Sequence, residues 1–261
     1  MTFNSSASTF SNEQSAALFL LRDATATLRE EGVVFVVMGG WAPYLFHRAH
    51  YGHPGTFDVD VLLDSASLDD GSFDRASEKL LSSGYLRAAK NNFQAHRVLR
   101  VREEELVFHV DFLNEQHPGN TIELIGGKGR LQSIYTPAMH AVFSYRKFRF
   151  TLEHGLSDVP FPSPETFIAS KAAATLVAKR SRDAFDVFVT LHDQDPATLE
   201  TSWAQLVASD GLFRDANDAL SRALDEGDAI AKIQAVIGSL AHASIPSEAA
   251  IRSRFSFLRP R

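Results

Sequence analysis

The sequence of 261 residues contains no cysteine. A disulfide framework, a zinc–thiolate site and a cysteine nucleophile are therefore excluded. No apolar run approaches the ~18 residues that a membrane-spanning helix needs. The first residues also lack the basic and apolar segments of a secretory signal. We therefore expect a cytoplasmic protein that does not enter a membrane.

An overall excess of positive charge is also missing, because 26 Lys and Arg stand against 32 Asp and Glu. The charges are unevenly placed: residues 141–182 carry seven basic and three acidic side chains, whereas residues 183–242 are markedly acidic. Aromatic and basic residues are interleaved over 145–150, which is typical of a nucleic-acid surface and equally of an edge strand over a core. A local anionic partner is compatible with this distribution.

A glycine pair follows a short apolar segment near the N-terminus. Residues 33–38 read VVFVVM, which predicts a buried strand, and Gly39 and Gly40 come next, before a helix-compatible segment. Glycine lets the backbone approach a ligand closely, and the first turn of a helix presents unpaired N–H groups to an anion. The pattern therefore predicts a phosphate-binding turn, although a plain tight turn has the same composition.

Three aspartates are predicted to meet on one sheet. Asp58 and Asp60 flank a valine in the next apolar run, so a strand directs both carboxylates to one face. Residues 105–113 predict a further strand, in a hairpin with 93–101, whose alternation places Asp111 opposite its apolar face. Paired carboxylates with a nearby phosphate site suit Mg²⁺. His109 shares the face of Asp111 and is predicted to support it, whereas His53 is predicted to be an ordinary loop histidine.

The segments GGW (39–41) and TFDVDV (56–61) resemble the signature of the nucleotidyltransferase superfamily, which includes DNA polymerase beta and the aminoglycoside nucleotidyltransferases. This resemblance implies an NTP substrate and Mg²⁺ or Mn²⁺ as cofactor. It implies that the nucleotide is bound by Gly39, Gly40 and Thr56. It also implies that the metal ligands and catalytic acids are Asp58, Asp60 and Asp111, of which the last either completes the metal site or deprotonates the acceptor.

The segments FIASK (167–171) and KRSRDAFDV (179–187) are similar to two helices of the AbiEii-like nucleotidyltransferases, the toxin components of some toxin–antitoxin systems. By this resemblance Lys171 is catalytic and binds the triphosphate, and an acid of the following helix belongs to the active site. Asp183 and Asp186 share one helix face, and we favour Asp186. The alternatives are that Lys171 is an ordinary surface lysine and that Arg182 and Asp186 form a solvated ion pair.

The order of elements predicts an α+β protein with a mixed β-sheet, and the resemblance implies the nucleotidyltransferase fold. Residues 11–158 are predicted to form the nucleotidyltransferase domain, starting with a helix over 11–31 that Ser11 caps. Three prolines within 160–164 end the strand-containing region. Residues 159–261 are predicted to form a helical domain that closes the active-site cleft.

The predicted reaction is Mg²⁺-dependent transfer of a nucleoside monophosphate from an NTP to an acceptor. The first choice of acceptor is RNA, such as tRNA, or a protein, with an antitoxin as a further partner, as the toxin resemblance implies. A small molecule of the aminoglycoside or lincosamide kind is the alternative. A non-catalytic module that binds a nucleotide or a partner is a third interpretation, against which the three aspartates argue.

Overall fold

The computed structural model describes residues 9–115, 131, 133–135, 142–143, 148–149, 155–156, 158–240 and 243–258. The chain divides into two compact units, the first made of 1–41, 55–143 and 148–161 and the second of 42–54, 144–147 and 162–261. The described residues confirm the predicted α+β class with a mixed sheet. None of their helices is long and apolar enough to cross a membrane.

The first unit is built on one sheet. Its strands are β1 (Thr9–Phe10), β2 (Phe35–Val37), β3 (Val59–Leu63), β4 (Leu86–Arg87), β5 (Gln94–Val101), β6 (Glu104–Asn114) and β7 (Ile134–Tyr135). The helices are α1 (Glu13–Glu30), α3 (Ser65–Asp69) and α4 (Ser72–Ser82), and α2 (Trp41–Tyr51) leads into the second unit. The strand order is β1-β5-β6-β3-β2, with β4 joined to β5 and β7 joined to β6.

The sheet is mixed because β6 pairs in parallel with β3 and antiparallel with β5, which confirms the predicted hairpin. Alternation along β6 buries Phe108, Val110 and Phe112 and leaves Asp111 on the other face. That other face is partly covered as well, since Leu62 of β3 packs in a core cluster with Phe143. The strands therefore present their acids on a face that is apolar at one end.

Two helix boundaries differ from the sequence prediction. Helix α1 is capped by Asn12 and not by Ser11, because the Asn12 side chain accepts a hydrogen bond from the Ser15 N–H at 2.8 Å. The sequence over 68–83 predicts a single helix, whereas the structure has two helices there, α3 and α4. They separate at Gly71, whose φ of 73° belongs to the left-handed region that glycine tolerates.

The second unit is helical in its described residues, apart from the start of the chain segment that enters it. Strands β8 (Phe148–Arg149) and β9 (Phe161–Pro162) pair with each other, and all of these residues except Pro162 belong to the first unit. The helices that follow are α5 (Pro164–Thr175), α6 (Ser181–His192), α7 (Pro196–Ser209), α8 (Gly211–Asp225), α9 (Ala229–Ser239) and α10 (Glu248–Arg254). Its core includes Trp203, which is fully buried and meets Phe213 edge to face.

The sequence over 164–180 predicts a single helix, but helix α5 ends at Thr175. At this end the buried ammonium of Lys232 donates hydrogen bonds to the carbonyls of Thr175 and Val177 at 2.8 and 3.0 Å. Terminal carbonyls of a helix lack partners in the helix itself, so a cation there satisfies them. Helix α10 was not predicted.

Candidate active site

The glycine turn follows β2 as predicted and leads into α2. Gly39 has a φ of 69°, which an L side chain rarely adopts. A Cβ at this position would lie 2.0 Å from Asp60 Oδ2. Gly39 therefore serves two purposes, since it permits the turn and leaves room for the Asp60 carboxylate. The first turn of α2 contains no acidic side chain, so its N–H groups face no competing carboxylate from that turn.

Asp60, Asp111 and Gln94 form a row across three neighbouring strands. The parallel register pairs Asp60 of β3 with Asp111 of β6, and the antiparallel register pairs Asp111 with Gln94 of β5. The Gln94 amide donates a hydrogen bond of 2.7 Å to Asp111 Oδ1. Paired residues in a sheet direct their side chains to the same face, so the structure brings these two predicted acids together.

Asp58 lies immediately before β3, beside the same row. The fully buried Trp41 donates its indole N–H to the Asp58 carbonyl at 3.0 Å, and the Thr56 hydroxyl donates to the same oxygen at 3.4 Å. These two bonds fix the backbone from which the Asp58 carboxylate projects. Trp41 was noted in the sequence only as part of the glycine motif. The role of Thr56 in nucleotide binding stays a prediction.

The pKa of Asp111 is raised above its ordinary value, chiefly because burial disfavours the charged carboxylate. The Asp58 carboxylate raises it further, whereas the hydrogen bond from Gln94 and the nearby His109 lower it. Asp58 and Asp111 are thus close enough for like charges to repel. A cation between them would relieve that repulsion.

The three aspartates suit a hard divalent cation, since carboxylate oxygens are the ligands that Mg²⁺ prefers. Among the described residues, no group of three or more acidic or histidine side chains is already arranged to hold a metal ion. Mg²⁺ is commonly held by one or two carboxylates together with substrate phosphates. The arrangement therefore fits an ion that arrives with a nucleotide better than one held by the protein alone.

Lys171 and Asp186 lie in the second unit, where they belong to a network of charged side chains. Lys171 Nζ of α5 lies 2.5 Å from Asp183 Oδ1 and 3.5 Å from Asp186 Oδ2, both on α6. Arg180 binds the other oxygen of Asp183 at 2.5 Å. The side chains of Lys171 and Asp186 are only 15% and 2% exposed, so Lys171 is not an ordinary surface lysine and Asp186 is not a solvated acid. Their catalytic role stays a prediction.

His53 belongs to the same network, contrary to the expectation of an ordinary loop histidine. Its buried imidazole lies against the ring of Phe185, with 5.6 Å between ring centroids. Its Nε2 is 3.0 Å from Asp186 Oδ1. The carboxylate of Asp186 is therefore held between an imidazole and an ammonium. No local pattern in the sequence indicates a contact between residues so far apart in the chain.

No family model matches the sequence, and no curated protein is significantly similar to it. Similar solved structures include an antigenic nucleotidyltransferase-like protein from Paracoccidioides brasiliensis, with 16% identity, a TM-score of 0.47 and coverage of 82% of this chain and 95% of that one. The antibiotic-resistance factor ANT(2″)-Ia has 14% identity, a TM-score of 0.32 and coverage of 93% and 95%. A STING-associated CdnE c-di-GMP synthase from Capnocytophaga granulosa has 14% identity, a TM-score of 0.29 and coverage of 95% and 79%. Because these values are low, the functional argument rests on this chain's own residues.

Proposed function

We propose that this protein transfers a nucleoside monophosphate from an NTP to an acceptor. One observation carries the proposal: Asp60 and Asp111 are in-register neighbours on β3 and β6, and Asp60 lies against the glycine turn. The carboxylates proposed to bind a metal ion and the backbone turn proposed to bind a phosphate thus occur together within the first unit. The sequence resemblance of the same residues to nucleotidyltransferases supports the same reaction.

In the proposed reaction an acceptor hydroxyl oxygen attacks the α-phosphorus of the NTP. The new bond joins that oxygen to the α-phosphorus, the bond from the α-phosphorus to the bridging oxygen of the β-phosphate breaks, and pyrophosphate leaves. Asp111 takes the proton of the acceptor hydroxyl. Its raised pKa suits this role, because a general base is most effective when its pKa approaches the working pH.

Asp58 and Asp60 would hold the divalent cation, with Asp111 as a further ligand when it is not acting as the base. Bound there, Mg²⁺ or Mn²⁺ supplies Lewis-acid stabilisation of the charge that develops on the transferred phosphate. Gly39 and Gly40 contribute backbone that can approach the phosphates. Lys171 and Asp186 enter the proposal through the resemblance of their helices, with Lys171 as a compensating charge for phosphate.

The acceptor in this proposal is RNA, such as a tRNA end, or a protein side chain. The toxin-like motifs of α5 and α6 support this choice, and an antitoxin is then the expected partner. A small cationic molecule such as an aminoglycoside is the alternative, which the net charge of −6 favours. These acceptors differ in chemistry, so one labelling experiment separates them.

The test is incubation with each α-labelled NTP, Mg²⁺, and total tRNA, cell protein or an aminoglycoside panel in turn. We expect label in one acceptor class and a loss of about 10³-fold in Asp60→Asn, as for other groups that stabilise transition-state charge. Asp69→Asn, an exposed acid at the end of α3, is the matched control and should react like the unaltered protein. NTP binding without transfer to any acceptor would overturn the proposal in favour of a binding module.

A further inference from the structure

Gln94 is the side chain that holds the carboxylate of Asp111. It is the first residue of β5 and lies directly opposite Asp111 of β6. Its amide nitrogen donates a hydrogen bond to Asp111 Oδ1 at 2.7 Å. The described residues provide no other hydrogen bond and no ion pair to this carboxylate. One oxygen of Asp111 is thus bonded to the protein, and Oδ2 is the oxygen that can contact a ligand.

The backbone of Gln94 is held by hydrogen bonds of its own. Its N–H donates to the Asn91 carbonyl at 2.9 Å, and its carbonyl accepts from the Ala88 N–H at 3.0 Å. From Gln94 onward, β5 is paired with β6 as far as Val101. A side chain can orient a ligand-binding group only if its own backbone is fixed. Gln94 meets this condition.

The neutrality of the amide matters as much as its position. A glutamine amide donates hydrogen bonds but carries no charge, so the Asp111 carboxylate keeps its negative charge. A lysine or arginine in the same place would neutralise that charge and compete with a metal ion. Asp183 of the helical unit has this other arrangement, since it is bonded to the cations of Lys171 and Arg180. Gln94 therefore orients the carboxylate of Asp111 without reducing its attraction for a cation.

The contribution of this hydrogen bond to stability is small. Both side chains are partly exposed, so water would replace the bond if it were absent. Asp60 pairs in register with Asp111, and the Asp58 carboxylate raises the pKa of Asp111, whereas His109 lowers it. Fixing a carboxylate beside others of like charge opposes folding when no cation is bound. The contact therefore suits cation binding better than it suits folding.

We infer that Gln94 is a positioning residue for the divalent cation, an inference that rests on the proposed function. It acts through Asp111, whose carboxylate it holds ready for the ion that Asp58 and Asp60 also bind. Residues that bond to metal ligands commonly change the metal affinity by about 10–100-fold when they are replaced. The inference also makes Asp111 a metal ligand and not the base alone.

The test measures the dissociation constant of Mn²⁺ by electron paramagnetic resonance, with Mn²⁺ alone and with each of the four α,β-methylene NTP analogues. Binding that remains in Asp60→Asn defines the contribution of other sites and of the nucleotide. Gln94→Met keeps the length of the side chain but removes the donor, so it should weaken Mn²⁺ binding about tenfold. Gln205→Met, at an exposed glutamine of α7, is the matched control. It should bind Mn²⁺ within about twofold of the unaltered protein.

A second variant, Gln94→Lys, separates charge from hydrogen bonding. An ammonium can donate to Asp111 but also neutralises it, so we expect Mn²⁺ binding to weaken at least as much as in Gln94→Met. The melting temperature of both variants should stay within about 4 °C of that of the unaltered protein. Unchanged Mn²⁺ affinity in either variant would overturn the inference.

The same preparations are tested for transfer of labelled monophosphate over a range of Mn²⁺ concentrations. We expect excess Mn²⁺ to restore transfer in Gln94→Met, because only the occupancy of the metal site is reduced. Transfer that depends on Asp60, with Mn²⁺ affinity unaffected by Gln94→Met, would overturn the inference and leave nucleotidyl transfer intact. Mn²⁺ affinity that depends on both Gln94 and Asp60, with no transfer from any NTP, would support the inference and refute the proposed reaction.

Discussion

The acidic side chains of the two units lie in opposite electrostatic surroundings. On the sheet, Asp58 raises the pKa of Asp111, so carboxylates of like charge face one another and the closest bonded side chain is the neutral amide of Gln94. In the helical unit, Asp183 is bonded to two cations, and Asp186 lies between Lys171 and His53. The arrangement on the sheet favours binding of a cation, whereas the helical network already contains cationic side chains.

This difference indicates which acids the fold needs and which it tolerates. Removing one partner of a buried charge pair leaves the other uncompensated, which is strongly destabilising. Removing one of two carboxylates that repel each other should increase the stability of the folded state. Substitutions in the helical network should therefore change mainly the stability of the protein. Substitutions of the sheet acids should change mainly its activity.

The largest expected effect on stability is that of Lys171→Met. Methionine keeps the length and apolar stem of the side chain but leaves the buried carboxylates of Asp183 and Asp186 without the ammonium. We expect the free energy of unfolding, measured by urea denaturation, to fall by about 3 kcal/mol. Lys179→Met, at an exposed position between the same helices, should change it by less than about 0.5 kcal/mol. Equal effects of the two substitutions would show that the network contributes nothing to stability.

Gly39→Ala should reduce monophosphate transfer more than it reduces stability. Gly32→Ala is its control, because Gly32 has a similar positive φ of 77° but nothing within 4 Å of an added Cβ. Both substitutions should lower the free energy of unfolding by about 1–2 kcal/mol through backbone strain. Only Gly39→Ala displaces the Asp60 carboxylate, so transfer should fall by about 10²-fold in that variant alone. Parallel losses of activity in both variants would contradict a role for the contact between Gly39 and Asp60.

The smallest expected effect is a shift in melting temperature that has opposite signs for an acid of the sheet and an acid of the helical network. Asp111→Asn should raise the melting temperature at pH 7, whereas Asp186→Asn should lower it. The pKa of Asp111 is raised in the folded protein, so its ionised form opposes folding at any pH above that raised pKa. As the pH falls below the ordinary carboxyl pKa, Asp111 is protonated in both states and the gain should disappear. Melting curves measured across this pH range test the prediction. A stabilisation by Asp111→Asn that grows towards low pH would contradict a raised pKa of Asp111 in the folded protein.

The sheet acids could be predicted from sequence because their placement depends on local alternation. Asp58 and Asp60 are separated by one residue, and Asp111 stands among the apolar side chains of β6, so each face follows from the period of two. The pairing of β3 with β6 is not local, and the registers that place Gln94 beside Asp111 could not be read from either strand alone. Gln94 is accordingly the partner that sequence reasoning missed on the sheet.

The helical network could be predicted only in part for the same reason. Lys171 and Asp186 stand out through their motif, but the burial of both depends on how α5 packs against α6. His53 reaches Asp186 across 133 residues of chain, and no periodicity connects them. The N-cap of α1 was predicted wrongly for a different reason. Asn12 and Ser11 are both good capping residues, and only the backbone geometry selects between them. The residues 145–150, which suggested a nucleic-acid surface, have side chains that lie outside the described part of the chain.

The parallel pairing of β3 with β6 also sets when the site can exist during synthesis of the chain. Asp60 is translated well before Asp111, and the residues between them include β4 and β5, of which β5 also pairs with β6. Contacts between strands distant in sequence form late, because the intervening chain must first lose its conformational freedom. A nascent chain that has not yet released β6 from the ribosome therefore holds two of the three aspartates but no complete site. The three candidate acids can therefore come together only after β6 has joined the sheet.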